Sequence, residues 1–236
     1  MIASLVILAQ TLKSQNSNID YKYGIKLYNL SRYEETTTPG FLDAANNYSF
    51  NEKNSLQIFH PTIAIQWKSK RKNFHEIELV DMKSEQQKSK TQVRNDSLHG
   101  IMTTSGFTLT ETTVSVRYEY IFVFNKKKEK KFVPSLGIAV SPYFKSDRSI
   151  PDLSSAFAVV EKHIGLRMFV TPRMIYYFAH RIFFDVNVPV YISQAEFSKE
   201  LTDNPSISKN QREISAFDFK GIPKMFSARI GIGIKL

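Results

Sequence analysis

The chain contains no cysteine among its 236 residues. That absence excludes a disulfide framework and thiolate chemistry, and it is compatible with export. Long apolar runs are also missing. No stretch reaches the roughly 18 apolar residues that a membrane-spanning helix needs, and the mean hydropathy is −0.27. A helical membrane protein is therefore excluded, whereas a β-barrel, whose strands are only half apolar, is not. A dinucleotide fingerprint is absent too: Gly231-Ile-Gly233 lacks a third glycine, lies within an alternating run and opens no helix. The acidic side of the charge balance is thin, with 22 Asp and Glu against 32 Lys and Arg, a formal net charge of +10. Much of the excess sits in two short basic turns, Lys68-Ser-Lys-Arg-Lys72 and Lys126-Lys-Lys-Glu-Lys-Lys131. Solvated turns explain it better than a nucleic-acid surface, and no nucleic-acid partner is expected.

What is present is alternation. In Thr113 to Phe144, Val114, Val116, Tyr118, Tyr120, Phe122 and Phe124 share one face, opposite Ser115, Arg117 and Glu119. After the turn, Phe132, Pro134, Leu136, Ile138, Val140, Pro142 and Phe144 share a face, opposite Ser135, Gly137, Ala139 and Ser141. Period-2 patterning of this kind marks strands with two different environments. The bulky set is too large to fill a small barrel from every strand, so the pattern reads as apolar outside and polar inside, the arrangement of a bilayer-spanning barrel.

Six further runs repeat the pattern. They are Tyr21 to Tyr28, Phe59 to Lys68, Phe74 to Met82, Val160 to about Phe178, Ile182 to Ser193, and Phe226 to Leu236. The connections alternate long and short. Polar segments near 34–57, 83–109, 146–158 and 195–224 read as long loops, the second without hydrophobic periodicity and expected to be mobile. Prolines at 142, 172 and 189 mark bulges or a rim. The predicted fold is an all-β, closed, antiparallel, eight-stranded up-and-down transmembrane β-barrel over residues 15–236. Residues 1–14, with the apolar core IASLVILAQTL, read as a signal peptide cleaved after Ser14.

The terminal FSARIGIGIKL, the central HEIEL segment and the hairpin between aromatic strands resemble small porin-like outer-membrane β-barrel proteins of the Bacteroidota type. The resemblance covers essentially everything after residue 14, and its motifs are generic to the barrel. It implies residence in the outer membrane of a Gram-negative cell envelope, contact with outer-membrane lipid and lipopolysaccharide, and insertion by the barrel assembly machinery. Barrels of this kind often end on an aromatic residue, whereas this chain ends on Leu236. A monomer is expected, with an external ligand engaged through the loops in binding, adhesion or an envelope-structural role.

Carrying the alternation through every strand predicts an inward ionic set: Lys22, Lys26, Glu76, Glu78, Arg117, Glu119, Arg167, Asp185, Asn187 and Arg229. Charges survive in a low-dielectric interior only when paired, so the carboxylates should be bridged by these arginines. A packed ionic core is expected, with a narrow gated ion path as its alternative. Trp67, Tyr118, Tyr120, Phe122, Phe124, Phe132 and Phe184 form a predicted aromatic girdle at a membrane interface.

No catalytic residue, cofactor or metal is expected. His60, His75 and His163 sit on strands without a second ligand at metal spacing, and Asp96-Ser97-Leu98-His99 lacks the geometry of an oriented triad. Two alternatives remain open: a lipid-modifying hydrolase or acyltransferase of the outer membrane, and a soluble lipocalin-like carrier, whose bulky faces would have to point inward.

Overall fold

A computed structural model describes residues 21–42, 48–70, 73–89, 92–96, 100–104, 107–124, 131–151, 157–222 and 225–236. The expected signal segment, Ser97 to His99 and most of the second basic turn lie outside these residues. Among these residues thirteen strands form in chain order: β1 (Tyr23–Leu42), β2 (Tyr48–Gln57), β3 (Pro61–Lys68), β4 (Phe74–Ser89), β5 (Gln92–Asp96), β6 (Gly100–Thr104), β7 (Phe107–Val123), β8 (Phe132–Pro151), β9 (Val159–Tyr177), β10 (Ile182–Asn187), β11 (Val190–Thr202), β12 (Glu213–Gly221) and β13 (Met225–Lys235). Among the described residues a short helix, α1 (Lys209–Arg212), precedes β12.

Hydrogen bonding closes a ring of eight strands, β1–β3–β4–β7–β8–β9–β10–β13 and back to β1. Every pairing in it is antiparallel, and ring neighbours follow one another in the chain, so the topology is up-and-down. Closure by the ladder from Gly24↔Lys235 to Glu34↔Met225 leaves no open edge in the ring. The short connections and the start of β1 gather at one end, here the turn end; the other is the open end.

The four connections read as long loops are largely sheet. β1 and β2 pair from Arg32↔Gln57 to Leu42↔Tyr48, and β4 and β7 pair as far as Ser89↔Phe107. β8 and β9 pair to Ser149↔Val159, and β11 runs on to Thr202 with β12 along its flank. The barrel wall therefore extends past the closed ring at the open end. Hydrophobic alternation does not mark these extensions because both of their faces carry polar side chains, but Thr-rich runs such as Thr108 to Thr113 hold β propensity without it.

Within the ring the faces are inverted relative to a soluble protein. Leu27 is 63% exposed and Ile230 61%, whereas Glu119 and Arg229 are 0% exposed. Pro134, Pro142 and Pro172 point outward, and Pro189 falls in the break between β10 and β11. One layer departs from the expected polar interior. At the turn end Tyr21, Phe74, Ile121, Val123, Val133, Ile175, Tyr177 and Phe183 form a buried apolar cluster, with Tyr21 stacked on Phe74 at 5.1 Å and 5.8 Å from Phe183. The reason lies in the sequence: Ile121-Phe122-Val123-Phe124 is apolar at both parities, so the strand end turns an apolar side chain inward as well.

Inward glycines set how closely the interior packs. A Cβ on Gly137 would overlap the Glu119 carboxyl, one on Gly231 the Tyr28 ring, and one on Gly233 the Phe183 ring. Gly231-Ile-Gly233 is thus a pair of clearances for bulky neighbours. Gly233→Ala should destabilise the barrel by about 1–3 kcal/mol through overpacking. Gly221→Ala, at a site with nothing among the described residues within 4 Å of the added carbon, should not. Denaturant unfolding of the two variants checks the contrast.

Candidate functional site

Directly above the apolar layer, inward positions from β1, β4, β7, β9, β10 and β13 meet in one charged layer. Four cations, Lys26, Arg117, Arg173 and Arg229, stand with four carboxylates, Glu76, Glu78, Glu119 and Asp185, all buried. The formal charges cancel. Lys26 Nζ lies 2.6 Å from both Glu76 Oε2 and Asp185 Oδ2. Arg173 Nη2 donates to Glu76 Oε1 at 3.0 Å and to Glu119 Oε2 at 3.3 Å, while its Nε lies 3.4 Å from Asp185 Oδ1. Arg229 donates through Nη1 to Glu78, through Nη2 to Glu119 Oε2 at 3.0 Å and through Nε to Asn187 Oδ1 at 2.5 Å.

Polar neutral groups complete the layer. Thr62 donates to Glu78 Oε1 at 2.5 Å, Tyr28 donates to Asp185 Oδ2 at 2.9 Å, and Asn187 Nδ2 donates to Asp185 Oδ1 at 3.1 Å. Glu76 and Glu119 are directly opposed in the β4–β7 ladder. Like charges so placed would repel, and Arg173 bonding both of them removes the conflict. Arg117 is held differently: its Nη1 is 3.6 Å from Glu78 Oε2 and its guanidinium lies 4.5 Å over the Phe169 ring.

Two predicted members do not belong to this layer. Lys22 precedes β1, is exposed, and rests 5.3 Å over the Tyr23 ring; alternation cannot place a residue outside the strand. Arg167 keeps its inward parity but sits nearer the open end, half-buried over the Tyr143 ring at 4.1 Å. The expected bridging of the carboxylates by Arg167 is replaced by bridging through Arg173, three positions inward along β9 when counted by face. Extending the alternation past Pro172 points to Arg173, and the same rule on β1 points to Tyr28. Thr62 needed the cross-strand register as well.

The predicted girdle residues all face out of the wall, and most of them touch ring partners. Trp67 stacks on His75 at 5.3 Å, His75 meets Tyr120 at 4.9 Å, and Tyr120 meets Phe122 at 4.7 Å. His75 Nδ1 and the Tyr118 hydroxyl are 2.8 Å apart. Phe132 packs against Tyr176 at 4.6 Å and Phe184 against Phe178 at 4.9 Å, while Phe124 is 67% exposed. These contacts concentrate toward the turn end. His60 has another role: its Nε2 lies 3.1 Å from Asp81 Oδ1, at a bulge between Leu79 and Asp81 where Val80 and Asp81 both turn inward.

Packed in this way, the charged layer and the apolar layer fill the section of the barrel near the turn end. The arrangement can hold eight strands in one register and close the barrel at that level. Removing one ion from it strands its partners in a medium where an uncompensated charge is costly. Arg229→Met should therefore destabilise the fold by about 3–5 kcal/mol, and Arg117→Met by clearly less, since the ion pair of Arg117 with Glu78 is long, at 3.6 Å. Unfolding midpoints of the two variants test the order, and the reverse order would contradict this account of the layer. In comparisons with known proteins, no family model matches the chain and no curated protein matches it.

Proposed function

We propose that this chain is an integral outer-membrane β-barrel protein of a Gram-negative envelope. Its closed lumen bars free passage, and its extended outward rim carries a binding, adhesion or envelope-structural role. The observation that supports this most strongly is the inversion of the wall. A closed ring hydrogen-bonds its own backbone fully, as hydrocarbon demands. Its outer face exposes Ile25, Leu27, Ile63, Ile65, Ile77, Ile138, Val186, Ile230, Ile232 and Ile234, while its inner face buries eight ionised groups. Water would not favour that outer surface, and a lipocalin-like carrier would need the opposite arrangement.

The aromatic contacts near the turn end suit a membrane–water interface. With short turns on the periplasmic side, the β1–β2, β4–β7, β8–β9 and β11–β12 extensions would face the exterior. Export through the residue 1–14 segment, insertion by the barrel assembly machinery, and contact with lipid and lipopolysaccharide belong to the same reading. So does a monomeric, non-enzymatic barrel without a cofactor.

Cells expressing the full-length chain should carry it in the outer-membrane fraction, and the unboiled protein should migrate differently from the boiled one on a denaturing gel. In planar bilayers the purified barrel should show no large conductance steps, because the charged and apolar layers occupy its section. A soluble product without a mobility shift would overturn the membrane assignment, and porin-sized steps would overturn the closed lumen.

A further inference from the structure

The inner face of the wall continues past the charged layer toward the open end along β8, β9 and β11. On β9 the inward positions run from Arg173 through Thr171, Phe169, Arg167 and Gly165 to His163 and Glu161. Across the β8–β9 ladder Asp147 opposes Glu161 and Lys145 opposes His163. On β11 the register to β9 shifts between Tyr191 and Ser193. That bulge exchanges the parity of everything beyond it. Tyr191 faces in before it, and afterwards Gln194 and Glu196 do so while Phe197 turns out, 47% exposed. Bulges of this kind commonly re-aim a side chain at a functional position.

The re-aimed residue reaches His163. Glu196 Oε1 lies 3.2 Å from His163 Nδ1, and its other oxygen receives the Tyr143 hydroxyl and, at 3.4 Å, Gln194 Nε2. In the tautomer that donates from Nδ1 to this carboxylate, Nε2 offers its lone pair to a ligand. His163 Nε2 in turn stands 3.5 Å from Glu161 Oε2. One ligand atom each from Asp147, Glu161 and His163 lies within 4.8 Å of the others. Among the described residues Asp147 Oδ1 is buried without a hydrogen-bond partner, while Oδ2 takes Lys145 Nζ at 2.7 Å.

We propose that Asp147, Glu161 and His163 form a binding site for a divalent cation of the zinc class on the inner face of the rim. Glu196 is a positioning residue behind His163. One nitrogen and two carboxylate oxygens, with a fourth position left to water, match an open tetrahedral site. Metal–ligand bonds of about 2.0–2.2 Å place neighbouring ligand atoms roughly 3.4 Å apart, close to the Nε2–Oε2 separation already present. Glu196 on Nδ1 supplies the carboxylate–histidine–metal relay that orients such ligands. Glu161 and His163 share a face of β9 two residues apart, but Asp147 meets them only through the hairpin register, which linear spacing hides.

Titration of zinc into the tag-free, detergent-purified full chain, followed by calorimetry, tests the site. One equivalent is expected to bind. Glu196→Gln should weaken it by about 10- to 100-fold, and His163→Gln or Glu161→Gln by at least as much. Glu111→Gln, which removes only the carboxylate 4.0 Å from Lys145, should leave the affinity unchanged. Circular dichroism confirms that the variants are folded. Absence of saturable binding, or undiminished binding by His163→Gln, would overturn the site. Should the variants fail to fold, cobalt added to the unaltered protein decides: intense visible bands of a four-coordinate ion are expected, and weak six-coordinate bands or none would overturn the proposal.

Discussion

Every other feature of this barrel is subordinate to the requirement that a charge removed from water be met by an opposite charge. An isolated buried ion costs several kcal/mol even after relaxation. Eight such ions share one layer here and cancel in sum. Each carboxylate of the layer contacts at least one cation from a different strand. Arg173 alone ties Glu76 and Glu119 across the β4–β7 ladder while approaching Asp185 from β9. A one-residue slip in any of these strands would turn its charges to the outer face and leave the others uncompensated. The layer thus specifies register, whatever its net contribution to stability.

The remaining inner face is shaped by what the layer requires. Long charged side chains need room, and Gly137 and Gly231 provide it beside Glu119 and Tyr28. The apolar cluster around Tyr21, Phe74 and Phe183 closes the turn end beneath the ions, reducing the water that would otherwise weaken their pairing. At the open end, by contrast, the inner face is polar and groups such as His163 and Glu196 are only half-buried.

The strands of the ring were legible because their two faces differ sharply in polarity, as Val116 and Arg117 do on β7. The extensions were not, since a strand polar on both faces carries no hydrophobic period: Lys83 to Ser89 and Phe107 to Leu109 read as loop yet pair residue by residue. Eight of the ten expected inward residues share the charged layer: Lys26, Glu76, Glu78, Arg117, Glu119, Asp185, Asn187 and Arg229. Lys22 fell short because the strand begins after it, and Arg167 because inward parity says nothing about height along the axis. Arg173 was reachable by continuing one face beyond Pro172. Of the rim cluster, only Glu161 and His163, two apart on one face of β9, follow from linear alternation; Asp147 joins through a cross-strand register and Glu196 through a bulge that no local sequence signal marks.

The most direct test of the inverted wall uses the absence of cysteine, which lets single cysteines be introduced and spin-labelled one at a time at positions 114 to 122 of β7 in lipid vesicles. Collision with oxygen, enriched in hydrocarbon, should be high at 114, 116, 118, 120 and 122 and low at 115, 117, 119 and 121, with a water-soluble nickel chelate reaching neither set. Labels at the even positions that collide with the nickel chelate in preference to oxygen would place that face in water and contradict the membrane-spanning barrel.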